Sequence, residues 1–145
     1  MATITLQIIS QEKHLATFEV DQVTVPTTTG EITVLPNHIP LFTKMTDGVV
    51  VAKTGDKFDE FAVLGGFMDV APDSKVTILA DAAIKADDIN AAKAQEAKRI
   101  AEETMKNKTS EIAFKEAEAS LRKAVLELRV AGSRRRQPRE LPNQS

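Results

Sequence analysis

The 145 residues include only two histidines, His14 and His38, and no cysteine. Disulfides, thiolate nucleophiles and cysteine-ligated zinc are thereby removed, and a histidine-rich metal site is not expected. His38 lies in VLPNHIPLF, residues 34–42, between two prolines in an apolar run. A histidine can be a base there, but no serine stands at a recognisable motif spacing to be activated by it. The favoured reading is a histidine hydrogen-bonded within a proline-braced loop. Leu64–Gly65–Gly66 lacks the lysine and the spacing of a phosphate-cradling loop and reads as a tight turn or bulge between strands. Asp87 and Asp88 are adjacent carboxylates, but they open a helical pattern, where such groups serve the cap and the dipole. Arg134–Arg136 suggest RNA, yet a chain of net charge −2 without interleaved aromatics is a poor nucleic-acid binder. The residues point to no catalytic centre, no metal, no cofactor and no nucleic-acid partner.

The elements that would position these residues fall into two kinds. In the first half, Ile4, Leu6 and Ile8 alternate with Thr3, Thr5 and Gln7, the period of a half-buried strand. Phe18 and Val20 continue that pattern, whereas Val23 and Val25 are one residue out of phase. Either a bulge sits near Asp21 and Gln22, or both faces are buried there. Further strands are expected at Glu31–Val34, Val49–Lys53, Phe58–Val63, Phe67–Val70 and Val76–Ala80, separated by turn signals. Short strands at this spacing predict an antiparallel sandwich or barrel.

From Asp87 the period lengthens. Asp87 or Asp88 is a plausible N-cap, and Ala94, Ala97, Ala101 and Met105 form one stripe. Ser110 can cap a second helix whose apolar face is Phe114, Ala117, Leu121, Ala124, Val125 and Leu128, with Gly132 as its stop. Two such helices joined by a short polar loop make an antiparallel hairpin. An alanine stripe buries little area, at about 25 cal/mol per Å², so the hairpin should be marginal alone and able to move. The fold expected is α+β, with a sandwich domain over 1–85, a helical hairpin over 86–131 and a basic, disordered tail over 132–145.

Charge supports two differently built halves. Residues 1–80 hold 5 basic and 10 acidic side chains, and residues 81–145 hold 14 and 11. No apolar run is long enough for a bilayer, and MATITLQIIS lacks the basic start and cleavage region of a signal peptide, so a cytosolic chain without membrane insertion is expected.

Three stretches then carry a resemblance. GEITVLPNHIPLF, GGFMDV and VTILADAAIKADDI, in that order and followed by the alanine-rich hairpin, resemble the epsilon-subunit family of F-type ATP synthases, of the bacterial type. Its pattern is a Gly-Glu turn, Leu-Pro-Gly/Asn-His-x-Pro-Leu, then Gly-Gly-x-x-Glu/Asp-Val, and the likeness covers residues 1 to about 131. The resemblance implies a non-catalytic rotor part of the central stalk, peripheral at the cytoplasmic face of the membrane, that couples proton flow to rotation. It implies that Ser10, His38, Leu41 and Phe42 face the gamma subunit, and that Thr28, Thr29, Gly30 and Glu31 face the c-subunit ring. It further implies that the second helix inhibits ATP hydrolysis, with Arg122, Lys123 and Arg129 meeting the alpha and beta subunits. The alternative is an ATP-sensing module whose hairpin closes on nucleotide. The relevant family motif, Ile/Leu-Asp-x-x-Arg-Ala, here reads Ile89-Asn90-Ala91-Ala92-Lys93-Ala94, and Ile84 stands where nucleotide-binding members place a glutamate. Asn90 loses a carboxylate and Lys93 replaces a planar fork with a point charge, so ATP binding is expected to be weak or absent. Thr33 stands where the family usually has glycine, so a positive φ is not expected there.

Overall fold

The computed structural model describes residues 2–11, 14–107 and 110–136. The chain divides into two units, Met1–Asp87 and Asp88–Ser145.

The first unit is a sandwich of two five-stranded sheets. One contains β1 (Ile4–Ser10), β2 (His14–Val20), β5 (Leu41–Lys44), β8 (Phe67–Ala71) and β9 (Lys75–Ala80), in the order β2-β1-β9-β8-β5. The other contains β3 (Gln22–Thr27), β4 (Gly30–Val34), β6 (Gly48–Thr54), β7 (Lys57–Leu64) and β10 (Ala82–Lys85), in the order β10-β7-β6-β3-β4. All neighbouring pairs are antiparallel except β1 and β9, which run parallel. These two are far apart in sequence, so no hairpin obliges them to oppose. β5 and β10 escape the sequence pattern because four residues are too few to establish a period.

The alternation in β1 is realised: Ile4, Leu6 and Ile8 are fully buried. The phase slip at Asp21 has a different cause from those anticipated. β2 belongs to one sheet and β3 to the other, so the chain turns a corner between them. Val20 faces the core from one side, and Val23 and Val25 face it from the other. Asp21 fastens that corner. Its amide donates to the Lys53 carbonyl at 2.7 Å, and its carboxylate accepts the Gly55 amide at 2.6 Å.

Another corner is Gly65–Gly66, which carries the chain from β7 in one sheet to β8 in the other and bears out the tight-turn reading of that pair. Both glycines have positive φ, 54° and 104°. A Cβ on Gly66 would lie 2.0 Å from the Leu79 carbonyl oxygen, so the backbone of β9 passes where a side chain would be. Thr33 lies in β4 and is absent from the positive-φ residues, and its hydroxyl meets that of Thr24 at 2.9 Å across the strand pair.

A 3-10 turn, Ala86–Asp88, spans the boundary between the units, and the second unit holds α1 (Ala91–Asn107) and α2 (Glu111–Arg136). Ser110 caps α2 as anticipated, its hydroxyl accepting the Ala113 amide at 3.0 Å. The cap of α1 is neither aspartate. Asn90 Oδ1 accepts the Lys93 amide at 3.0 Å, because Asp87 and Asp88 are already inside the 3-10 turn. Ala94 and Ala101 are buried but Ala97 is exposed. On a helical wheel, positions three and four beyond Ala94 lie about 60° to one side and about 40° to the other, and the buried stripe leans to the latter, where Lys98 is half-buried. In α2, Ala117 and Ala124 are buried as expected, Val125 is 44% exposed, and Leu126 and Val130 are buried instead. Gly132 does not stop the helix, which runs on to Arg136. One interior glycine costs about 1 kcal/mol, too little to break a long packed helix, and arginines near a C-terminus favour its dipole. Residues 137–145 of the anticipated tail lie outside the described residues.

The Gly66 contact sets a sharp expectation. Gly66→Ala should lower the unfolding free energy of the sandwich by about 3 kcal/mol or more in denaturant titration, since the neighbour is backbone and cannot step aside. A loss below about 1 kcal/mol would show the corner to be pliable.

Candidate docking surfaces

The VLPNHIPLF loop connects β4 to β5 and is built on a turn. The His38 amide donates to the Leu35 carbonyl at 3.1 Å, Pro36 occupies the second position, and Asn37 is left-handed at φ 65°. This is the type II arrangement, which asks for glycine or asparagine in the third place. His38 is half-buried, and its Nδ1–H donates to the Ile39 carbonyl at 2.7 Å. The carbonyl can only accept, so the ring's orientation and the proton on Nδ1 are tied together. His38 thus braces the loop rather than a nucleophile.

Leu41 and Phe42 open β5, an edge strand. Leu41 packs against the core while Phe42, one residue on, is 64% exposed on the outer face. Phe42 stacks on Phe67 with ring centroids 5.4 Å apart and planes 11° from parallel. Phe67 pairs in register with Leu79, which pairs with Ile9. Phe67 and Leu79 are 43% and 45% exposed, so one end of the outer sheet face is apolar and open. Ser10, half-exposed, ends β1 next to Ile9. Sequence reasoning therefore found part of this face and missed Phe67, Leu79 and Ile9. A period-two count along GGFMDV and KVTILA would have found the first two, since each is an apolar residue on the outward parity.

The turn Thr28–Glu31 is wholly exposed and joins β3 to β4. Beneath it Thr27 is buried, and its hydroxyl donates to the Gly30 carbonyl at 2.5 Å and accepts the Thr29 amide at 3.2 Å. The Thr28 amide donates to Lys44 at the end of β5, at 3.1 Å. The turn is thus tied to the same edge strand that carries Phe42.

On α2, Arg122, Lys123 and Arg129 are exposed. Lys123 also acts on Glu127, one turn along: burial raises that carboxyl above its ordinary value, and Lys123 partly offsets the rise. The four residues of the nucleotide motif are engaged in starting α1. Asn90 caps it, Ala94 is buried, Ile89 is half-buried, and the Lys93 amide is held by Asn90. Ile84 lies in β10 opposite Ala62. Among the described residues no three histidine or acidic side chains converge as metal ligands, and no helix is long and apolar enough to cross a membrane.

Comparison with known proteins gives the family. Residues 3–86 match the family model for the ATP synthase delta/epsilon chain beta-sandwich domain, and residues 87–132 match that for its long alpha-helix domain. The ATP synthase epsilon chain of Dehalococcoides mccartyi (strain CBDB1) is 42% identical over 139 residues, covering 95% of this chain and 99% of the relative. The chain belongs to the ATP synthase epsilon-chain family. Its relative from Halalkalibacterium halodurans is 43% identical over 133 residues, 91% of this chain and 99% of that one. The fold is also that of a chain in the Euglena gracilis mitochondrial ATP synthase structure that comprises OSCP, F1 and c-ring, at TM-score 0.68 and 24% identity, covering 92% of this chain and 82% of that one. Epsilon-family membership accounts for the two-part build, and the open aromatic face and tethered turn are the surfaces this member presents.

Glu127 contributes a pH dependence of definite sign to the helical unit. A raised carboxyl pKa means the folded helix holds that proton more tightly than the unfolded chain, so this contribution is greatest below the ordinary glutamate range and is lost as pH rises through the raised folded value. Glu96, held below its ordinary value by Arg99, contributes a slope of the opposite sign, so the test is a difference between two proteins. In helix melting followed by circular dichroism, Glu127→Gln should gain melting temperature over wild type as pH rises to neutral. A difference that shrinks as pH rises would contradict the burial argument.

Proposed function

We propose that this chain is a non-catalytic rotor subunit of the central stalk of a proton-translocating F-type ATP synthase, peripheral at the cytoplasmic face of the membrane. The sandwich docks on the gamma subunit through Ser10, His38 and Phe42 together with Phe67 and Leu79, with Leu41 anchoring the same strand from the core side. The turn Thr28–Thr29–Gly30–Glu31 meets the c-ring. The carrying observation is the stacked Phe42–Phe67 pair on the outer face of the sheet, since an exposed, ordered aromatic pair is hot-spot chemistry. The family match over both units supports the same reading. Torque passing between ring and gamma needs both contacts on one stiff body. The bond from Thr28 to Lys44 supports that requirement, since it joins the turn directly to the strand bearing Phe42.

The helices restrain ATP hydrolysis in this reading. An exposed Arg122, Lys123 and Arg129 on one helix suit acidic loops on the alpha and beta subunits, where burial of charge pairs would add to affinity and specificity.

Phe42→Asp should leave the fold intact, because the side chain is mostly solvated, and should weaken gamma binding by about 2 kcal/mol or more in a titration. Binding equal to wild type would remove the aromatic pair from the interface. Truncation before Asp88 in the assembled enzyme should preserve gamma binding and raise ATP hydrolysis. Unchanged hydrolysis would leave the docking role standing and discard the inhibitory one.

A further inference from the structure

The β8–β9 connection is a three-residue loop, Pro72–Asp73–Ser74, closed by the pairing of Ala71 with Lys75. Its last residue, Ser74, is left-handed at φ 62°. Three-residue hairpin loops place glycine at that position, because a Cβ is crowded there. A serine at such a site calls for a use of its side chain, and the hydroxyl has one. Ser74 Oγ accepts the Asn37 amide at 2.9 Å, while the Ser74 carbonyl accepts the Thr5 amide at 3.0 Å. Asn37 is the other left-handed non-glycine residue among those described, and in its turn the amide points away from the turn's own closing bond. Two unusual backbones therefore meet through one hydroxyl, and that bond joins the loop VLPNHIPLF to the β8–β9 turn.

We infer that Ser74 is a positioning residue for the Leu35–Pro40 loop, its hydroxyl holding the exposed Leu35, Asn37 and Ile39 in the shape that the gamma subunit meets. The inference rests on the docking reading above. The Asn37 amide is near solvent, so loss of the tether leaves it to water instead of stranding it. The fold then loses little, whereas the loop loses its fixed point. A merely structural serine would behave in the opposite way.

The test uses the full chain. Ser74→Gly removes the hydroxyl and keeps the left-handed backbone without strain, and Ser74→Asn restores an acceptor on a residue that tolerates that backbone. Amide exchange by NMR and the off-rate from immobilised gamma subunit are the two readouts. Ser74→Gly should melt close to wild type, lose protection at Asn37 and His38, and leave gamma about fivefold faster. Ser74→Asn should recover both properties. Unchanged Asn37 protection in Ser74→Gly overturns the inference, and so does lost protection with a wild-type off-rate. If the wild-type chain itself fails to bind gamma, the docking reading falls, and the tether is then decided by Asn37 exchange alone.

Discussion

Two sheets share one aliphatic core, and every strand must turn its apolar side toward it. That constraint governs where the chain can change sheets. Two of these changes are at Asp21, where a carboxylate and an amide pin the corner to β6 and its turn, and at Gly65–Gly66, where β9 backbone occupies the space of a missing Cβ. It also draws β5 toward both sheets. Met45, just past the strand, donates to the Gly66 carbonyl at 2.8 Å and bridges to Thr27 in the other sheet. The buried rows supply the free energy, at about 25 cal/mol per Å² of apolar area, and the corners give it a single geometry.

The outward parity is what remains for partners. Because side chains alternate, burying Met68 and Ile78 and turning Leu41 toward the core places Phe42, Phe67 and Leu79 on the solvent side of the same sheet. The exposed aromatic pair is therefore a consequence of the core's register as much as of its own residue types. A one-residue slip would bury Phe42 and expose Leu41. The loop that precedes it is held by local means, namely proline geometry, a left-handed asparagine and the His38 bond to Ile39, and by one distant contact, the Ser74 hydroxyl on the Asn37 amide. The helical unit is organised differently. Its small buried alanines allow close helix approach while contributing little area each.

Much of this was legible in the residues. The alternation in β1, the turn at Gly65–Gly66, the cap at Ser110 and the fold class follow from period and turn chemistry, which act over a few residues. The motif order pointed to the epsilon family, and His38 read as a brace because no partner stood near it. The errors arose where neighbouring options were nearly equal locally. Asp87, Asp88 and Asn90 are all good caps, and only the 3-10 turn decided among them. Ala97 and Lys98 flank the same stripe, and only the packed structure chose between them. Gly132 is a common stop, but one glycine is too weak to end a helix by itself.

What the sequence by itself determined was the periodicity, the two-part organisation and the proline-braced loop, since these depend on contacts between residues close along the chain. What only the tertiary structure decided was the meaning of the slip at Asp21, the pairing of Phe42 with Phe67 and the bond between Asn37 and Ser74. Each joins segments far apart in sequence, and no local pattern records a distance that only the packed core brings about.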